Sequence, residues 1–321
     1  MNDKPATYVN WAKRIRESDI PILIALIVLI LIFATTTEGF LTPANIETIF
    51  MQVSILGIAA VGATLVILLA GIDLSNGSIV ALSGVLVASW ALDGLPIWLS
   101  IICIISIGAL IGMFNGIAIY KFKMASFIVT LATMSVGSGL ALVHSNGQTI
   151  YGYDPALNFL GSGKIAGIPV SILILFIVYI AAWFVLKYTA FGRNIYAIGG
   201  NAQAARLSGV RVELIGIAVF SIAGALAGLA SLIQMGRLGA ATPIAGQGLE
   251  LQTIAAVVIG GTSLFGGIGR ITGTFIGVLL IGVLNNGLAI ADVSSFWEKT
   301  IQGLVIFLAV IVDAAINRGK K

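Results

Sequence analysis

Two acidic residues sit where acids are costly to keep. Asp73 lies in "AGIDLSNGSIV" (70–80) and Glu250 in "AGQGLELQ" (245–252), each between long apolar runs. A carboxylate at bilayer depth is strongly unfavourable unless it faces protein, water or a helix end. Around Asp73 stand Gly71, Ser75, Asn76, Gly77 and Ser78, residues that break and cap helices. They predict that the chain unwinds here and that a helix restarts with Ser75 or Asp73 accepting from its free N–H groups. The same break would serve to line a permeation route, as Gly-interrupted helices in matching halves do. Gln247, Glu250 and Gln252 present the same choice, since Glu250 also stands where a helix begins. Asn115, Asn285 and Asn286 fall deep within apolar runs, where an amide first finds a hydrogen bond across a helix interface and only second a substrate. The candidates for a translocation route are therefore Asp73, Ser75, Asn76, Asn115, Gln247, Glu250 and Asn286.

Other chemistry is thin. "GGTSLFGGIGR" (260–270) resembles a phosphate loop only in its glycines, and no GxxxxGK[ST] occurs anywhere in the chain. Gly269, Gly273 and Gly277 instead form a small-xxx-small face for close helix packing, as do Gly224 and Gly228. One histidine, His144, offers no metal cluster, and one cysteine, Cys103, no intramolecular disulfide. No catalytic residue and no metal ligand are expected.

The elements that must hold these residues are membrane helices. The chain is 59% hydrophobic and 9% charged, against about 25% charged in a soluble domain, and its apolar residues come in charge-free blocks of spanning length. The fold expected is an all-α polytopic membrane protein with about ten transmembrane helices, near 20–36, 46–70, 78–92, 96–120, 125–143, 169–187, 212–236, 250–261, 270–290 and 298–315. Helices three and eight are short and adjoin Gly-broken stretches. The whole of 1–321 reads as one transmembrane domain, with an inner segment 1–19, an outer loop 144–168, an inner loop 188–211 and an inner tail 316–321. Fourteen Lys and Arg then lie inside and only Lys164, Arg237 and Lys299 outside, so the net charge of +4 reflects topology, not nucleic acid, and both termini are cytoplasmic. The first helix opens at Pro21 without a small-residue cleavage site, which favours an uncleaved span over a signal peptide.

Two weak internal matches suggest a five-plus-five inverted repeat. "AGIDLSNGSIVA" (70–81) aligns with "AGQGLELQTIAA" (245–256), and "NGIAI" (115–119) with "NGLAI" (286–290). In the ten-helix topology the first member of each pair lies toward the cytoplasm and the second toward the outside, a pattern common in transporters.

The inner loop carries one more signal. In "GGNAQAARLSG" (199–209), Asn201 is an N-cap, an Ala-rich turn follows, and Gly209 stops it. With Arg193, Arg206 and Arg211 nearby, it reads either as a basic loop on anionic head groups or as a knob for a cytoplasmic partner.

Together, "GIDLSNGSIVALSG", "NGIAIYKFKMASFIVTLATM", "FGRNIYAIGGNAQAARLSGV", "GLELQTIAAVVIGGTSLFGGIGRITGTFIG" and "NNGLAI" resemble the permeases of ribose/galactose/xylose-type ABC importers, nearly end to end. The resemblance implies a homodimer in the lipid bilayer of a bacterial cytoplasmic membrane. It implies a cytoplasmic ATPase subunit, which would bind ATP and Mg so that this chain needs no cofactor, and an external sugar-binding protein docking on 144–168 and 237–249. It implies alternating access for a monosaccharide, ribose first. Gly200, Asn201, Ala204, Ala205, Leu207 and Gly209 match the family's coupling loop, although "NAQAARLSG" lacks a glutamate at its start. The polar residues of the helices come without aromatic partners, which suits handing a sugar on better than holding it. Two rival readings are an ion-coupled secondary carrier, which would show paired intramembrane ionisable groups, and an ABC permease for branched-chain amino acids.

Overall fold

Helix starts follow the capping residues closely. The computed structural model describes residues 19–294, Trp297, 300–304 and Phe307. Helix α1 (Ile20–Thr36) carries Pro21 in its first turn, and α2 (Pro43–Leu68) opens on Thr42, whose Oγ1 accepts from the Asn45 N–H. There follow α3 (Asn76–Leu92), α4 (Ile97–Tyr120) and α5 (Ser126–Ser145), the last ended by Asn146 in the left-handed region, φ 51°. A 3₁₀ turn (Pro155–Asn158), α6 (Phe159–Ser162) and a two-stranded hairpin, β1 (Lys164–Ile165) and β2 (Ile168–Pro169), lead into α7 (Val170–Tyr188). The second half continues with α8 (Ala190–Gly200), α9 (Ala202–Leu207), α10 (Val212–Leu238), α11 (Leu249–Ile259) and α12 (Ile271–Ile290).

Among the described residues, six helices are long and apolar enough to cross a membrane: α2, α4, α5, α7, α10 and α12. Three more, α1, α3 and α11, are apolar but shorter. These nine correspond to nine of the ten expected segments. The tenth, 298–315, falls mostly outside the described residues, although Trp297, 300–304 and Phe307 are helical. The segments 1–18 and 316–321, with Lys4, Lys13, Arg14, Arg16, Arg318, Lys320 and Lys321, also lie outside them, as does Lys299.

The core is built where α2 and α10 cross, with Gly62 pressed on Ala223. Along α4 and α10, Gly108 and Gly112 face Gly224 and the Phe220 carbonyl, while Gly228 meets Ile104, so the backbones touch over several turns. Small residues make that approach possible, and in lipid such packing, not hydrophobic exclusion, holds helices together. Gly273 and Gly277 likewise meet Gly260 and Ala256 of α11. Gly269 does not extend that helix face: it precedes α12 and packs on Thr262 in the turn.

The packing repeats between halves. α3 rests on α4 and on α10, and α11 rests on α12 and on α2; α4 packs on α10 as α12 packs on α2. Each half's broken helix thus leans on the other half's long helix. That exchange is compatible with two related halves packed against each other.

Two loops hold more structure than the sequence suggested. The 144–168 segment is folded onto α10: Gly161 lies against Gly236, the buried Tyr153 donates to the Met235 carbonyl at 3.0 Å, and Ile150 pairs with Ala241. Its turns are set by Gly and Asn, so no periodicity announces it. In the 188–211 segment, α8 was not foreseen. Thr189 caps it by accepting from the Gly192 N–H, and it buries Ile195 and Ile198. Three glycines and an arginine in "AFGRNIYAIGG" dilute the helical signal, and the tertiary contact overrides it.

Candidate translocation site

Two ends of the molecule frame the site. At one, the coupling end, the Gly267 N–H donates to the Leu68 carbonyl at 2.9 Å, and Gly199 packs on that same carbonyl. Tyr196 donates to the Gly269 carbonyl, and Asp19 meets Thr272 and Arg270. The opposite end carries the Ile150–Ala241 bridge and the 155–169 segment. Burial there pushes the Tyr153 phenol up to about 12, so it stays a donor.

The first break lies between α2 and α3. Ala70, at φ 59°, turns the chain out of α2. The Ile72 N–H then donates to Ser126 Oγ and the Ile72 carbonyl accepts from Thr130, which straps the break to α5. Asp73 is 2% exposed. Its Oδ1 accepts from the Ser75 N–H at 2.8 Å and from Ser75 Oγ at 2.6 Å. Asn115 Nδ2 donates to Ser75 Oγ at 3.0 Å, and Thr133 Oγ1 donates to Asn115 Oδ1 at 2.6 Å. This relay joins α3, α4 and α5 through side chains alone. Asp73 Oδ2 and both amide atoms of the buried Asn76 have no hydrogen-bond partner among the described residues.

The capping expectation needs a correction in detail. Ser75 is the N-cap of α3 by position, but its side chain does not bond the helix. It donates back to Asp73, which closes a turn one step before the helix. The sequence could not distinguish the two, because Asp and Ser both serve at either position.

The second break lies between α10 and α11. Gly239, Gly246 and Gly248 take φ 62°, 78° and 83°, a backbone that only glycine adopts freely. Glu250, in the first turn of α11, accepts through Oε1 from the Gly248 N–H at 3.2 Å. Gln247 is exposed.

Although expected toward opposite sides, the two breaks meet. The Gly77 and Gly246 backbones are in contact, and a Cβ on Gly77 would collide with the Gly246 carbonyl and with Glu250 Oε2. Gly137, about halfway along α5, packs on Ser78. From this point α3 runs to the far end and α11 to the coupling end. Two helix N-termini therefore converge within the bundle, one from each half.

Beside the crossing lies a cleft of about 310 Å³, walled by Ser78, Ser135, Ser138, Gln247 and Glu250 with Met134 and Pro243. Ser78 was read from the sequence only as part of the first break, and Ser135 and Ser138 were missed by sequence reasoning; their i, i+3 spacing on one face of α5 was the available signal. A separate cavity of about 400 Å³ opens beneath α9, between Ala70, Gly71, Tyr120, Lys123 and Arg206.

The candidates therefore sort into three places. Asp73, Ser75 and Asn115 form the sealed relay and Asn76 is buried beside it outside the hydrogen-bond chain, while Gln247 and Glu250 line the cleft. Asn286 belongs to neither: it exchanges two amide hydrogen bonds with Asn45, at 2.9 and 3.0 Å, near the far end. Its neighbour Asn285 accepts from Gln302, which in turn accepts from Gln252. These amides pair helices together, as expected of Asn in lipid.

At the coupling end, α9 projects from the bundle. Asn201 Oδ1 accepts from the Ala204 N–H at 2.9 Å, Ala205 is buried, and Gly209 at φ 84° turns the chain away. Arg206 pairs with Glu213 at the start of α10. Leu207 is 84% exposed, a large apolar side chain at the tip of a short helix, and a side chain on Gly200 would meet open space. Among the described residues, no three His, Cys, Asp or Glu side chains gather as a metal site.

Comparison with known proteins now adds identity. Residues 45–310 match the family described as branched-chain amino acid transport system / permease component. The chain is 46% identical over 301 residues to "Ribose import permease protein RbsC" of Haemophilus influenzae, covering 92% of this chain and 93% of that one. It is 48% identical over 292 residues to the protein of the same name from Bacillus subtilis, covering 90% and 91%. It is 40% identical over 296 residues to "D-allose transport system permease protein AlsC" of Escherichia coli, covering 91% and 90%. No solved structure matches significantly.

Proposed function

The chain belongs to this family of ABC-importer permease components, and from that premise we propose that it is the membrane-spanning subunit of an ATP-driven monosaccharide importer, with ribose the first substrate to test. It is a multi-pass membrane protein of a permease family. The observation that carries the sugar reading is likeness to ribose import permeases along nine-tenths of the chain, with D-allose and xylose permeases behind them.

The geometry supports alternating access. A cleft lies on one side of the crossed breaks and a second cavity on the coupling side. Rocking one half against the other would open each in turn, as in other transporters built from repeats. The cleft walls offer hydroxyls, an amide and a carboxylate without an aromatic ring. Such a lining hydrates a sugar in transit but gives little tight binding.

The exposed Leu207 on the buttressed α9 supports docking of a cytoplasmic ATPase there, with Gly200, Asn201, Ala204, Ala205 and Gly209 shaping the knob. Lys121, Lys123, Lys187, Arg193, Arg206, Arg211 and Arg270 cluster in segments toward that end, which supports its facing the cytoplasm. Asp19, at the start of α1, lies there too, which supports a cytoplasmic N-terminus. A sugar-binding protein would dock at the far end, on 144–168 and 237–249, and a second copy of the chain would complete the permease.

The test is a mild-detergent pull-down of the tagged chain from its native membrane, with co-purifying proteins identified by mass spectrometry. Recovery of a Walker-motif ATPase, and ribose uptake by the reconstituted complex that depends on ATP, is the expected result. Repeated recovery of the chain alone, under conditions that preserve a known ABC complex, would move the reading to an ion-coupled carrier.

A further inference from the structure

Two helix N-termini aimed at one point inside a membrane protein make a positive spot. Each carries unpaired N–H groups and about half a unit of positive charge, and in low dielectric such termini collect anions. α3 and α11 start within contact distance of each other, at Gly77 and Gly246. Left alone, this arrangement would favour carboxylates and phosphates over neutral sugars.

The chain answers each terminus with a carboxylate of its own. Before α3, Asp73 accepts from the Ser75 N–H, but it is buried and lines neither the cleft nor the cavity beneath α9. In the first turn of α11, Glu250 accepts from Gly248 with one oxygen and sets the other against Gly77, while lining the cleft. Among the described residues that wall this cleft, Glu250 is the one ionisable side chain, and no Lys, Arg or His balances it.

We propose that Glu250 is a selectivity residue: it sets the cleft's potential so that neutral polyols pass while sugar acids and sugar phosphates are held off. The inference rests on the cleft being the sugar's route. Ser78, Ser135 and Ser138 then meet the hydroxyls of any monosaccharide, and Glu250 rejects by charge what those hydroxyl contacts would not reject by shape.

The test reads the potential directly, without transport. Cys103 is replaced by Ser, and Ser138→Cys places a single thiol in the cleft of the full-length chain in lipid nanodiscs. Its reaction rates with a cationic and an anionic methanethiosulfonate reagent are compared, each normalised to a free thiol. With Glu250 present, the cationic reagent is expected to be favoured. Glu250→Gln is expected to lower that preference about tenfold, within the range a carboxylate a few ångströms away produces between protein and water dielectrics. Gln247→Glu, at the exposed neighbouring turn, is expected to raise it, which keeps the test alive should Glu250→Gln fold poorly. A thiol at exposed Ser208, on the coupling end, is expected to ignore both changes.

A preference that neither substitution moves would overturn the selectivity role while leaving the cleft as a watered route. A Ser138→Cys thiol that reacts with neither reagent would overturn the route itself. Failure to recover an ATPase, in contrast, would overturn the importer reading and leave the charge measurement standing.

Discussion

The break before α3 and the break before α11 use the same materials, glycine, a carboxylate and a helix start, but hold them differently. Before α3 the chain is short and strapped. Ile72 bonds α5 through Ser126 and Thr130, and Asp73 is sealed inside the relay that reaches Thr133. Before α11 the chain runs from Gly239 to Gly248 through three left-handed glycines. Its hydrogen bonds from Thr242 onward are local turns: Ala245 to Thr242, Gln247 to Ile244 and Leu249 to Gly246. Local opening costs least where a segment has few buried contacts and bonds mainly to itself. The first break is thus a post strapped to a neighbouring helix, and the second, bonded mainly within its own turns, is the side whose Gln247 and Glu250 line the cleft.

The largest effect should come where the two touch. Gly77→Val places a side chain into the Gly246 carbonyl and Glu250, with backbone on one side and no room to shift. Sugar uptake should vanish, and folded protein recovered from the membrane should fall sharply. Gly248→Ala, at the same crossing but with open space around it, should cost only the left-handed penalty of about 1 kcal/mol. Similar losses for both, measured as folded yield by fluorescence-detected size exclusion, would mean the contact at Gly77 is not a closed one.

Next in size is the coupling end, to which the post is bolted through Leu68, Gly199 and Gly267. Ala205→Arg forces a charge into a buried position under α9, and Gly209→Pro removes the φ 84° turn and the N–H that donates to Arg206. Both should abolish uptake while the chain remains in the membrane at normal abundance. Normal uptake by both at equal abundance would detach the 199–209 segment from the transport stroke, and with it the idea that motion enters through the first break.

Much of this comparison was legible in the sequence, and its limits have physical causes. Nine apolar segments were placed by hydropathy because a bilayer demands length and apolarity from each helix alone. Asn201 and Gly209 were readable because caps are local chemistry. The meeting of Gly77 with Gly246 was not, since two glycine turns far apart in sequence carry no mark of which other backbone they approach. Asn286 was grouped with the route because an amide in lipid announces only that it has a partner, not that the partner is Asn45. Ser135 and Ser138 escaped notice because serines in a membrane helix so often bond their own backbone, as Ser135 does to Leu131.

A smaller effect separates the two carboxylates. Asp73→Ala leaves the Ser75 N–H and hydroxyl facing a buried void, so the loss should be about 1–3 kcal/mol. Glu250→Ala removes one half-buried bond to Gly248 and should cost less than about 1 kcal/mol. Thermal unfolding of the purified chain in one detergent ranks them. The reverse ranking would make Glu250 the structural residue, and unchanged stability with lost uptake for Asp73→Ala would give that carboxylate a direct part in transport.

The finest distinction lies at the relay's outer end. Thr133 donates to Asn115, and Thr133→Val keeps its shape while removing that donor. Asn115 Oδ1 would then lose one acceptor bond inside the bundle, a cost of about 0.5–1.5 kcal/mol that should appear as a modest drop in thermal stability. Ser135→Ala, two residues away on the cleft wall, gives up a bond to its own helix and should leave stability within about 0.5 kcal/mol of the parent. If the relay is a strut, the two residues part in stability and Thr133→Val leaves the cleft's charge preference untouched. A change in that preference from Thr133→Val would instead connect the sealed break to the open one, and the post would have to move with the gate.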